Sequence, residues 1–493
     1  MLFFSTRNEN LRADGADALL NGIASDGGLF VPEVFPELAF NSDKLAETKD
    51  GEISAAILSA FFSDSLFKGD KFPDEKFSEL VKKAYGGKFD GGDFAPVKKV
   101  GGIFVTELFH GPTCAFKDVA LQILPRLTVE AKRAKGTDDK LFFLTATSGD
   151  TGSAALEGFS GVEGTEAIVF YPERGTSEIQ KRQMVTASGE NTRVYAVKGN
   201  FDDAQRGVKE ILGKLEMPEK ARLSSANSIN IGRLVPQISY YFKTYRDLLV
   251  RGEIKYGDKV DFIVPTGNFG DILAGFFAEK AGLPIGKLVS ASNRNNVISD
   301  FIRTGVYDAK RRFYLTYSPS MDILVSSNLE RLLYIVCGDE KCAKYMSDLK
   351  NYGKYAVSKE ELSKIRETFS ADFATEEETL TAIKRVYEKY GYLTDTHTAV
   401  AWSVYEKVKN SLTGKAAVVL STASPYKFPT SILKAFGEKE TDERAATEKL
   451  FRLTGADVPA PLKNVWNKPI YHKKVIEKEE MLSVVTEAIR ERL

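Results

Sequence analysis

Cysteine is scarce in this chain of 493 residues, and the three present, Cys114, Cys337 and Cys342, are too few and too scattered for a disulfide framework. A reducing compartment is the expected setting. Cys337 and Cys342 have no His or Cys close by in sequence to complete a ligand set, which argues against zinc. An excess of one charge is also missing: Lys plus Arg and Asp plus Glu balance at 68 each. Bulk electrostatics therefore point to neither nucleic acid nor a membrane surface. No apolar run approaches the roughly 18 to 20 residues that cross a bilayer. The start Met1-Leu-Phe-Phe-Ser-Thr-Arg7 lacks the basic leader and apolar length of a secretory signal. A cytoplasmic protein acting on a small molecule, as monomer or homodimer, is expected. Fixed-period repeats and low-complexity tracts are absent, which disfavours solenoids and propellers. So is any Gly-x4-Gly-Lys-Ser/Thr run, which disfavours a nucleotide P-loop.

What the chain does have is length enough for two or three packed units sharing a cleft, and ordinary globular usage at 43% hydrophobic residues. Short apolar runs recur, each followed by a small-residue turn and a helical pattern: Leu141–Leu144, Ala167–Phe170, Val194–Val197, Phe262–Val264, Leu288–Val289 and Ala417–Leu420. Buried parallel strands alternating with helices produce such runs, so an α/β fold is predicted. Residues 1–95 read as a mainly helical N-terminal domain, with helical patches at Ala16–Leu20 and Ile53–Phe62 and an exit through Gly86-Gly87 and Gly91-Gly92. Residues 96–440 form the α/β body, with a smaller subdomain at about 140–215 and a charged, strand-free helical insert at about 310–390. Residues 441–493 are a helical extension that closes on an amphipathic helix.

Ligands of α/β sheets bind beyond the carboxyl ends of the strands. Three turns there are unusual. Thr145-Ala-Thr-Ser148-Gly149-Asp150-Thr151-Gly152-Ser153 can converge backbone N–H groups at a helix start, an anion cradle, although the same residues also make an ordinary capped helix. Pro265-Thr266-Gly267-Asn268-Phe269-Gly270-Asp271 has two glycines that permit close approach of a phosphate. Ser421-Thr422-Ala423-Ser424-Pro425 offers hydroxyls to a ligand or to its own backbone. Lys117 sits among Ala115, Phe116 and Val119-Ala120-Leu121, where a charged ammonium is disfavoured and a free amine becomes a nucleophile. Lysines in such settings usually extend to solvent, and it is the company of two anion cradles that sets Lys117 apart.

These residues, His110-Gly-Pro-Thr-Cys-Ala-Phe-Lys117-Asp118, Ser148-Gly-Asp-Thr-Gly-Ser153, Pro265-Thr-Gly-Asn-Phe-Gly-Asp271 and Leu420-Ser-Thr-Ala423, resemble the threonine synthase family. Ser5-Thr-Arg7, Asp26-Gly-Gly-Leu-Phe-Val-Pro-Glu33 and Asp395-Thr-His397-Thr-Ala-Val400 extend the resemblance in order over nearly the whole chain. It implies a fold type II pyridoxal-phosphate enzyme of the tryptophan-synthase-β-like kind, with two open, twisted, mainly parallel α/β domains around the cofactor. It also implies conversion of O-phospho-L-homoserine and water to L-threonine and phosphate.

Carried over by residue, Lys117 holds pyridoxal 5'-phosphate as a Schiff base and moves protons on the substrate. Gly267, Asn268, Phe269, Gly270 and Asp271 hold the cofactor phosphate, and Thr422 holds the pyridine nitrogen. Ser148, Gly149 and Thr151 take the substrate carboxylate. Asp150, in the same substrate loop, stands where many fold type II enzymes have an Asn for the ring hydroxyl. Thr6, Arg7, Asn293 and Asn295 are candidates for the substrate phosphate. His397 is assigned a structural role and Cys114 a packing role. The competing readings are another fold type II enzyme, a threonine dehydratase or a cysteine-synthase-like protein, and a catalytically silent relative that binds pyridoxal phosphate or phosphate.

Overall fold

The structure, a computed structural model, describes residues 1–38, 40 and 42–493. Each of the six apolar runs lies in a strand, and the strands divide between two sheets. The larger sheet runs in the order Phe369–Phe373, Ile285–Ser292, Val260–Pro265, Ala416–Ser421, Ile103–Glu107, Val97–Val100. Neighbours are parallel except the last pair, a hairpin. The smaller sheet is wholly parallel, in the order Val475–Glu477, Thr192–Lys198, Thr165–Pro172, Lys140–Ala146, Ala221–Ser225. Central strands such as Val260–Pro265 and Thr165–Pro172 are buried along their whole length, because helices cover both faces. Their apolar runs, Phe262–Val264 and Ala167–Phe170, follow from that, while Asp261 and Glu166 are buried polar residues near the strand starts.

Three expectations need correction. The first 95 residues also carry a three-stranded antiparallel sheet, Asn8–Asp14, Leu2–Ser5 and Phe30–Pro32, beside the helices Asp50–Leu66 and Pro73–Tyr85. Asn8–Asp14 is a mostly exposed edge strand with polar text, so it shows no alternation to read. The segment 310–390 is not strand-free, because Phe369–Phe373 forms the edge of the larger sheet and Lys354–Ala356 pairs with Val306–Asp308. Ser370 and Asp372 break up the apolar signal there. The smaller unit runs on to Ser225 and also recruits the C-terminal extension: Val475–Glu477 joins its sheet, and the helix Met481–Arg492 buries Val484, Val485, Ala488 and Ile489 in its core.

The four loops of interest all leave the carboxyl ends of strands, after Glu107, Ala146, Pro265 and Ser421. Two helices bring them together. Lys117–Leu121 and Asp150–Phe159 cross so closely at Gly158 that a Cβ there would stand 2.0 Å from the Leu121 carbonyl oxygen. Only glycine allows that approach.

Candidate active site

A cavity of about 80 Å³ lies between the two sheets, and Lys117, Asp150, Arg233, Thr422 and the loop 265–271 line it. The segment before Lys117 is held from both sides. Asp118 accepts from the Thr113 N–H at 2.9 Å and the Thr113 hydroxyl at 2.7 Å, while the Phe116 N–H bonds the Thr422 carbonyl at 2.9 Å. Burial outweighs the Thr113 hydrogen bonds and pushes the Asp118 carboxyl up to about 6. Cys114 takes a left-handed φ of 58° in this turn and is buried; burial pushes its thiol up, as suits a packing residue.

The Lys117 ammonium nitrogen sits 4.3 Å from the Phe116 ring centroid and 3.6 Å from Asp150 Oδ2. Burial lowers its proton affinity. Asp150 opposes this, while Arg233 and Lys427 add to it, and the net shift is downward.

In the second loop the backbone N–H groups of Gly267 through Asp271 have no acceptor among the described residues. They open the helix Gly270–Lys280, so unbonded donors and the helix N-terminus coincide. Phe269 is in the left-handed region, with φ 62° and its ring buried, and this turns the loop back on itself. Asn328 fixes the loop from outside, its backbone N–H and side-chain amide each bonding the Asn268 carbonyl at 3.1 Å. Arg331, fully buried, holds Asn328 by its side chain and also bonds the Phe30 carbonyl at 2.9 Å and the Ile229 carbonyl at 2.6 Å. Asp271 Oδ1 accepts from Tyr240 at 2.6 Å and Tyr241 at 3.0 Å, whereas Oδ2 is buried without a partner. Burial accordingly raises the Asp271 carboxyl to about 6, against those two hydroxyls and the Lys117 charge.

The first loop departs from expectation at Gly149. Its N–H is spent on the Thr147 hydroxyl at 2.9 Å, so it is not free to donate to a carboxylate. Its contribution is conformational: φ is 155°, and a Cβ would meet the Gln180 amide at 2.4 Å. Asp150 is likewise occupied. Oδ1 accepts from Lys427 and from Gln180, both at 2.7 Å, and Oδ2 from the Ser320 hydroxyl at 3.1 Å. Burial pushes this carboxyl up, but Lys427 and Lys117 outweigh it and hold Asp150 well below the usual carboxylate range. The hydroxyls of Ser148, Thr151 and Thr422 make no hydrogen bond among the described residues. Thr151 and Thr422 line the cavity.

The four residues proposed for the substrate phosphate lie elsewhere. Thr6 and Arg7 are both taken up by Glu330, the Thr6 hydroxyl at 2.7 Å and the Arg7 guanidinium through two bonds at 2.8 and 2.9 Å. Asn293 and Asn295 both bond Asp322 and brace the loop that carries Ser320 and Met321 to the cavity. None of the four is among the residues that line the cavity, and each is bonded to protein groups. His397 lines the cavity, but its Nε2 accepts the Ser320 N–H at 3.1 Å while Nδ1 faces Asp395 at 2.9 Å. It positions a loop.

Sequence reasoning missed the cation that the cavity does contain. Arg233 is 2% exposed, pairs with no carboxylate among the described residues, and makes one hydrogen bond, from Nη1 to the Ala226 carbonyl at 2.6 Å. Its Nε is buried without a partner. Burial lowers its affinity for the proton to about 10. Ser228 also lines the cavity and lies beside Gly270. The available signal was Asn227-Ser-Ile-Asn230-Ile-Gly-Arg233, a polar turn after a strand and opening a helix, where Asn230 caps Gly232 at 2.9 Å.

A buried lysine and a loop of unbonded N–H groups between two mainly parallel sheets are the arrangement of the fold type II pyridoxal-phosphate-dependent family, and the comparisons place the chain there. Three family models match the chain: "Threonine synthase N terminus" over residues 2–85, "Pyridoxal-phosphate dependent enzyme" over 94–423 and "Threonine synthase, C-terminal" over 398–487. The chain belongs to the threonine synthase family. It is 37% identical to threonine synthase of Pseudomonas aeruginosa, over 88% of this chain and 90% of that one. It is 38% identical to human "Threonine synthase-like 1" over 91% of this chain, but it spans only 61% of that protein's length. The crystal structure of PLP-bound threonine synthase from Brucella melitensis superposes with a TM-score of 0.86 at 36% identity, covering 100% of this chain and 99% of the other.

Proposed function

We propose that the protein is a threonine synthase, converting O-phospho-L-homoserine and water to L-threonine and phosphate. The observation that carries the reading is Arg233, a buried cation without an anionic partner among the described residues, in the same cavity as the unbonded N–H groups of Gly267–Asp271. Threonine and O-acetylserine bring one anionic group, the carboxylate assigned to the 148–151 loop, whereas O-phosphohomoserine brings a second, for which Arg233 is the available cation. An unpaired buried guanidinium is costly and is explained by a ligand that pairs with it.

The residues present fit pyridoxal 5'-phosphate. The unbonded N–H groups of Gly267–Asp271 suit its phosphate, the unspent Thr422 hydroxyl its ring nitrogen, and the Lys117 amine its aldehyde. When bound, the cofactor supplies the electron sink for a carbanion at the substrate α-carbon.

The protein's own groups do the rest. Ser148 and Thr151 offer hydroxyls to the substrate carboxylate, with Gly149 shaping the turn that presents them. Arg233 and Ser228 receive the leaving phosphate, with charge-assisted bonds that favour its departure as a dianion. Lys117, desolvated and poorer in proton affinity than an exposed lysine, takes and returns protons on the substrate carbons. His397 cannot act as the base while its Nε2 holds the Ser320 N–H.

The deciding experiment supplies O-phosphohomoserine and measures phosphate and threonine together. Equal release of both supports the reading. Activity only on threonine or O-acetylserine sinks it, and a cofactor-loaded protein inert on all three is the silent relative.

A further inference from the structure

Lys427 is 0% exposed and is not among the residues that line the cavity. It closes the turn Pro425–Lys427, and that turn is stitched to the lysine segment: the Ser424 N–H bonds the Cys114 carbonyl at 3.0 Å, and Ala423 bridges Ala115. The backbone therefore fixes where the ammonium can reach. One of its bonds goes to the Thr113 carbonyl at 2.9 Å, four residues before Lys117, and another crosses to Asp150 Oδ1 at 2.7 Å.

Asp150 thus stands between two lysines unequally. Oδ1 is saturated by Lys427 and Gln180, and Oδ2, shared with the Ser320 hydroxyl, is left 3.6 Å from Lys117, beyond hydrogen-bond contact. In a buried cavity a lone carboxylate beside a lone amine would draw a proton onto the amine and keep it there.

We propose that Lys427 is a positioning residue for Lys117: by seizing Asp150 and offsetting its charge, it leaves the Lys117 amine free to give up its proton. The proposal rests on the reading of Lys117 as the working amine. The other charges facing Lys117 are Arg233, from the helix Ile231–Leu234, and Asp271, from Gly270–Lys280. Removing Lys427 takes away its own repulsion of the Lys117 charge and leaves Asp150 unopposed, and both changes favour the protonated amine.

The test is the pH profile of Lys117 acetylation by acetic anhydride, read by mass spectrometry on full-length protein stripped of cofactor. Lys427→Met should raise the midpoint by about one pH unit or more, the scale of an opposite charge at this range. Lys427→Arg should stay near wild type, and Asp150→Asn, with Lys427 intact, should move the midpoint down. A Lys427→Met profile that coincides with wild type in folded protein overturns the proposal. Should Lys427→Met fail to fold, Asp150→Asn decides alone, and an unmoved or raised midpoint is the refuting result. Opposed shifts in a protein that makes no threonine defeat the reaction assigned above and leave the pairing standing; flat profiles in a protein that makes threonine defeat only the pairing.

Discussion

Replacing Arg233 with Met should make the protein worse at binding phosphate and better at staying folded. Burial has lowered the guanidinium from 12.5 to about 10, and it has no carboxylate partner. A drop of that size corresponds to a folding cost of at most about 3 kcal/mol, at 1.36 kcal/mol per unit. The sign follows from linkage. The folded state binds this proton less tightly than the unfolded chain, so the cost is full below pH about 10 and is relieved above it. Methionine fills a similar volume without the charge, so denaturant midpoints in phosphate-free buffer near neutrality should rise. Binding moves the other way. A charge-assisted hydrogen bond is worth about 1.5–3 kcal/mol, so the inhibition constant of inorganic phosphate should weaken roughly 10- to 150-fold. The KM for O-phosphohomoserine should rise with it. A variant that is less stable than wild type and keeps its phosphate affinity would refute the reasoning, because Arg233 would then be a structural post.

Asp271→Asn preserves an oxygen for Tyr240 and Tyr241 and removes a carboxylate whose Oδ2 is orphaned. With the folded value at about 6 against 3.8, wild-type stability falls as pH rises through that window, by at most about 3 kcal/mol; urea midpoints should show a larger gain for the variant at pH 8 than at pH 5. Gly158→Ala drives a methyl into the Leu121 carbonyl and should cost about 1–3 kcal/mol in thermal or urea unfolding; an unchanged midpoint would mean the two helices separate freely. His397→Gln, which keeps an acceptor near the Ser320 N–H, should retain the shape of the pH–rate profile, and the loss of one limb would restore His397 as an acid or base.

The fold was legible where burial is two-sided. Strands such as Val260–Pro265 carry an apolar run, here Phe262–Val264, and that text is hard to mistake. Edges were not legible. Asn8–Asp14 and Phe369–Phe373 each pair along one side only and tolerate polar residues. In the site, the glycine-bearing loops announced themselves because close backbone approach restricts which residues are allowed. Single long side chains did not. Arg233 and Lys427 reach the site from more than 100 residues along the chain from Lys117, and no local pattern encodes that distance. The same limit applies to Thr6 and Arg7, whose bonds to Glu330, more than 320 residues further along the chain, no local pattern announces.

The guanidinium of Arg331 reaches the strand that carries Phe30, the turn at Ile229 and, through Asn328, the cradle at Asn268. In engineering terms, the first hundred residues are therefore not an exchangeable module. A chimera that borrows its opening segment from a relative must bring a carbonyl to the Phe30 position at the same height, or the loop 267–271 loses a guy-rope anchored some 240 residues earlier in the chain.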